Sequence, residues 1–117
     1  MKYIFKGPLG ENARNFMRRA GYGELRNRQG QISYAARIGN GPFPRFHAYV
    51  QDTEDGGIEI NLHLDQKEHN LGEGAAHAGE YEGPLLIQEM ERLLRWIAYI
   101  QQENEKIENL HDNEHDY

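Results

Sequence analysis

The chain has 117 residues, 13 Lys plus Arg against 19 Asp plus Glu, a formal net charge of −6 and no cysteine, which sizes it for one domain. The missing cysteine excludes disulfides, thiolate zinc sites, iron–sulfur clusters and a thiol nucleophile, so any metal must take His and carboxylate ligands. No apolar run approaches the ~18 residues of a membrane span, and MKYIFKGPLG holds too few apolar residues for a secretory signal; a soluble, cytoplasmic protein with no membrane partner is expected.

Charge is distributed unevenly. Residues 1–50 carry nine basic and two acidic side chains, residues 51–117 four basic and 17 acidic. Such polarity suits either an anionic partner for the first half or mutual attraction of the halves within the fold.

In chain order, Lys2 to Lys6 reads as a short strand ended by Gly7-Pro8. Gly10 to Ala20 reads as a helix with Leu9, Ala13, Phe16, Met17 and Ala20 on one side, stopped by Gly21 and Gly23. Three alternating segments follow: Ile32, Tyr34, Ala36, Ile38; then Phe46, Ala48, Val50; then Ile58, Ile60, Leu62, Leu64. Glu54-Asp55-Gly56 suits a three-residue hairpin loop with Gly in the left-handed position. That loop sets Phe46 opposite Leu64, Ala48 opposite Leu62 and Val50 opposite Ile60, and on the other face Arg45 opposite Asp65, His47 opposite His63 and Tyr49 opposite Asn61. For the preceding hairpin, matching faces place Arg37 beside Arg45 and Ala35 beside His47.

Residues 66–83 (QKEHNLGEGAAHAGEYEG) hold one large aliphatic, Leu71, and four glycines, and read as a long connection of the kind that is functional or disordered. Pro84 opens a second helix with the stripe Leu86, Met90, Leu93, Leu94, Ile97 and Ile100. Beyond about Asn104 the chain turns polar and acidic, and residues 111–117 are expected to form a flexible tail. Ile107 and Leu110 can extend the stripe into a homodimer contact. The expected fold is therefore α+β: a single antiparallel sheet, order β-α-β-β-β-α over residues 1–110, with both helices on one face and the other face open.

The open face concentrates the chemistry. His47 and His63 on neighbouring strands, with Asp65 two residues on, form a partial metal site. His69, His77 and Glu80 can complete it if the glycine-rich connection folds back. Such a donor set suits a divalent metal, namely zinc, iron or manganese. The competing structural reading is a polar sheet surface with Asp65 bonded to Arg45. Around the metal set, Arg37, Arg45, Tyr49, Lys67 and Tyr81 are candidate contacts for a small ligand.

Two further readings draw on the same residues. The imidazoles can act as general base and general acid beside Arg37 or Arg45, in ribonuclease-like or phosphodiesterase-like chemistry. The arginines of the first half, with Tyr49 for stacking, also suit a nucleic-acid-binding module, against which the acidic total counts. One Ser, Ser33, and one Thr, Thr53, leave little room for a hydroxyl nucleophile, and Ser33 is expected to lie too far from His47 for a triad.

The order of elements looks like that of double-stranded-RNA-binding domains and of small toxin-type ribonucleases. The second helix lacks the basic cluster of the former, and the Gly-Ser-His signature of the latter is absent. At His63-Leu-Asp-Gln-Lys67 and Ala76-His-Ala-Gly-Glu-Tyr-Glu-Gly83, with Arg45-Phe-His47 upstream, the chain resembles a group of short uncharacterised bacterial proteins of candidate-phyla type. The resemblance covers about residues 44 to 100. It implies no activity, and groups His47, His63, Asp65, Lys67, His77, Glu80 and Tyr81 as a unit.

Overall fold

The computed structural model describes residues 1–66, 79–80 and 83–115, with backbone alone for 79–80 and 111–115. The elements are β1 (Lys2–Phe5), α1 (Ala13–Arg19), β2 (Gly23–Arg26), β3 (Ile32–Arg37), β4 (Arg45–Asp52), β5 (Ile58–Asp65), β6 (Gly79–Glu80) and α2 (Pro84–His115). They build the expected α+β fold around one antiparallel sheet, ordered β1-β5-β4-β3-β2, with β6 also paired to β5. Both β1 and β6 lie along the β5 edge remote from β4, β1 against Ile58 to Asn61 and β6 against Leu64 and Asp65.

Alternation within β5 decides the layers. Ile58, Ile60, Leu62 and Leu64 are buried, and they join Tyr34 and Ala48 in one cluster with Leu9, Phe16 and Met17 from around α1 and Leu86, Leu93, Ile97 and Ile100 of α2. Both helices therefore cover the same face. Each fully buried aliphatic side chain contributes about 1.5–3 kcal/mol by leaving water, which ties the helices to this face and leaves His47, Tyr49, Asn61 and His63 on the other.

The β4–β5 turn fixes that division. Thr53 N–H donates to Gly57 O (3.0 Å), and Gly56 takes φ of 82°, a left-handed conformation that glycine adopts without steric cost. Gly7 passes so close beneath the turn that a Cβ there would stand 2.2 Å from Asp55 O. Asp55 Oδ2 accepts the Gly7 N–H (3.0 Å), which pins the exit of β1 to the hairpin. Register then runs as the sequence implies, with Arg45 opposite Asp65, His47 opposite His63 and Tyr49 opposite Asn61. In the β3–β4 hairpin, Arg37 lies opposite Arg45 and Ala35 opposite His47.

Two local departures have clear causes. Helix α1 starts at Ala13, not Gly10, because the Asn12 side chain caps it by accepting from Asn15 N–H (2.8 Å). Helix α2 runs through His115 for 32 residues, well past Asn104, where the sequence turns polar. The Asn104 amide donates to Leu9 O (3.0 Å), and Ile107 and Leu110, both exposed, continue its stripe. Among the described residues no helix is long and apolar enough to cross a membrane.

Ion pairs join the oppositely charged halves: Lys2 to Glu59, Arg19 to Glu103 and Arg45 to Asp65. Others, Arg14 to Glu24 and Arg19 to Glu11, close within the first half. Mutual attraction within the fold thus occupies several of the arginines that a nucleic-acid reading would recruit.

Candidate functional site

The open face brings three side chains to one point. His47 projects from the middle of β4, and His63 and Asp65 from successive outward positions at the end of β5. His47 Nδ1 stands 3.0 Å from His63 Nε2. Asp65 closes the triangle, with Oδ2 3.3 Å from His47 Nδ1 and Oδ1 3.1 Å from His63 Nε2. Each side chain keeps only about a tenth of its surface exposed, 12% for either imidazole and 11% for Asp65. The three residues form a group able to hold a metal ion.

These separations have chemical meaning. Ligand atoms ~2.1 Å from one ion lie ~3.0 Å apart on an octahedral face and ~3.4 Å apart in a tetrahedron. The two ring nitrogens, 3.0 Å apart, match the first value, and each lies within 3.3 Å of a different Asp65 oxygen. Without an ion, two ring nitrogens at 3.0 Å can share a single proton, while the ionised carboxylate accepts only.

Surrounding groups orient the three ligands. Arg45 Nε donates to Asp65 Oδ2 (3.1 Å), and its guanidinium stacks 4.6 Å over the Phe43 ring. The structural expectation of an Arg45–Asp65 bond therefore holds together with the convergence, because the carboxylate turns one oxygen to each imidazole. His47 Nε2 lies 2.8 Å from Ser33 Oγ. The Tyr49 ring lies 5.1 Å from that of His47 and 6.2 Å from that of His63. Burial, the largest influence, lowers the pKa of His63 below its ordinary value, against the opposing pull of the Asp65 charge. A neutral ring can offer a nitrogen lone pair to a cation at neutral pH.

Ser33 corrects the sequence reading. The expectation that Ser33 lies out of reach does not hold: Ala35, two residues on, pairs with His47, so Ser33 is the diagonal neighbour of His47 and contacts it. Diagonal pairs on adjacent strands lie within reach of a long side chain such as histidine. The signal available was the outward alternation of Ser33 with Ala35 and Arg37.

The other candidates divide into two groups. Arg37 is exposed beside Arg45 at the rim of the same face, and Tyr49 flanks the imidazoles. Glu80 pairs by its backbone with Leu64, which brings β6 to the strand that carries His63 and Asp65. Lys67, His69, His77 and Tyr81 lie outside the described residues. Comparison of the chain with protein families, with curated proteins and with solved structures yields no match.

Proposed function

We infer that this chain is a small metal-binding protein whose centre is formed by His47 Nδ1, His63 Nε2 and the Asp65 carboxylate, with zinc, iron(II) or manganese(II) as the ion. Their convergence carries the reading: the two ring nitrogens lie 3.0 Å apart, and each lies within 3.3 Å of one oxygen of the Asp65 carboxylate. Three ligands on one side of an ion leave coordination positions for water or a small ligand. Glu80 or His77 from the 66–83 segment would supply a fourth protein ligand. Arg45 and Ser33 act on the ligands, the first holding the carboxylate and the second fixing which nitrogen of His47 is available.

Elemental analysis of untagged protein tests this directly, with zinc titration of the metal-free form beside it. Stoichiometric metal, lost in His63→Ala while the folded NMR spectrum is kept, is the expected result. Absence of bound metal, together with a zinc affinity indifferent to the substitution, overturns the reading.

One observation favours a second reading. Ser33 Oγ, His47 Nε2, His47 Nδ1 and Asp65 Oδ2 form a continuous chain at 2.8 and 3.3 Å, the order of contacts in an acyl-transfer triad. The metal reading is preferred because Ser33 is only 7% exposed and because His47 Nδ1 approaches His63 more closely than it does Asp65. Labelling of Ser33 by a fluorophosphonate would reverse that preference.

A further inference from the structure

Below the imidazoles, towards the β4–β5 turn, the same sheet face opens into a polar cleft of about 420 Å³ whose walls include Lys2, Gln31, Tyr49, Gln51, Glu59 and Asn61. Its size is that of a small-ligand site. Strands β1, β4 and β5, with the residue preceding β3, each contribute to it. Its charges are balanced: Lys2 Nζ meets Glu59 Oε1 at 2.9 Å, and Gln51 Nε2 donates to Glu59 Oε2 at 2.7 Å. The Asn61 amide makes no hydrogen bond to another described residue and is exposed. Tyr49 is 38% exposed, standing between the cleft and the two histidines.

The chemistry of the walls selects a ligand class. Amides both donate and accept, as hydroxyl groups do, and a carboxylate with two oxygens keeps acceptor sites beyond those already used. An anion would find the basic residue of the walls, Lys2, neutralised by Glu59, and a cation would find that carboxylate already paired. The exposed Tyr49 ring offers an apolar face against which a C–H-bearing ring can lie. We propose that this cleft binds a neutral polyhydroxylated ring, a monosaccharide unit, stacked on Tyr49 and hydrogen-bonded by Gln51, Asn61 and Glu59. The inference is independent of the metal centre, since none of the wall groups named for it is a metal ligand.

The test is a titration of metal-free, ¹⁵N-labelled protein with a panel of neutral monosaccharides, read from the side-chain amide signals of Gln31, Gln51 and Asn61. Saturable shifts confined to the cleft are expected, with an affinity about tenfold lower in Tyr49→Ala and unchanged in Lys106→Ala, whose side chain is exposed on α2. Asn61→Ala provides a second variant should Tyr49→Ala lose its folded spectrum, and is expected to weaken binding likewise. No saturable shift with any sugar overturns the proposal. So does a response to adenosine with none to sugars, or undiminished sugar binding by whichever variant folds. Because the metal is absent throughout, failure here leaves the metal titration standing, and the reverse.

Discussion

Two half-hidden polar clusters lie on opposite sides of the sheet and obey different rules. Beneath the helices, Tyr22 donates to Glu89 Oε2 (2.5 Å), and Arg92 spans both Glu89 oxygens (2.6 and 2.8 Å) while also donating to Ala20 O (2.8 Å). Donors face acceptors there, and burial together with the Glu89 contact drives the Tyr22 hydroxyl far up from its ordinary pKa. On the open side, two ring nitrogens and a carboxylate converge, and which nitrogen donates depends on the tautomer of each ring. The first cluster is complete as built and serves to hold α2 over α1. The second can be held by imidazole N–H groups donating to Asp65 or by a cation seated among its members.

This contrast can be broken by substitution, beginning with the complete cluster. Glu89→Ala should cost about 3 kcal/mol in urea unfolding, because it strands Tyr22 and Arg92 at a site where Glu89 is 6% exposed, and should leave zinc affinity of the folded fraction unaltered. On the open side, Ser33→Ala should weaken metal binding about tenfold by freeing the His47 ring, while secondary structure by circular dichroism stays as in the parent.

Acidity sharpens the same contrast. Folding holds His63 below its ordinary value, so the unfolded chain takes up that proton first. The contribution of His63 to stability is therefore complete above about pH 6.5 and declines as the pH falls through that value towards the lower one of the folded state. Urea midpoints of the metal-free protein should trace this decline, and His63→Gln should flatten it. The smallest effect belongs to the rim: Arg37→Ala should change stability by less than about 0.5 kcal/mol, and metal affinity not at all.

Much of this architecture is legible in the sequence, for a definite reason. A period-two pattern with one apolar face admits a single register, so the loop at Glu54-Asp55-Gly56 suffices to set His47 against His63. Strand β2 is not legible, because Gly23-Glu-Leu-Arg26 lacks alternation and Gly23, with Gly21 before it, reads as a helix stop. The pairing of β1 with β5 depends on Gly7 passing beneath a turn some fifty residues away, which no local pattern announces. At the site, sequence supplies neighbours and not rotamers. The approach of His47 Nδ1 to His63 Nε2, and of Nε2 to Ser33, follows from ring orientations that only packing decides. The long reach of α2 is hidden for a related reason: Ile107 and Leu110 keep the spacing of the stripe, but among polar residues and beyond the sheet they have no core to reveal it.

All three converging side chains belong to a single hairpin, so an ion seated among them would gauge strand alignment. Slippage of β4 past β5 by one position would turn His47 towards the helices while His63 and Asp65 stayed outward, abolishing chelation at a stroke. A protein loaded with its ion would accordingly resist misalignment of this hairpin during refolding, and metal release on heating would coincide with separation of these two strands instead of preceding it.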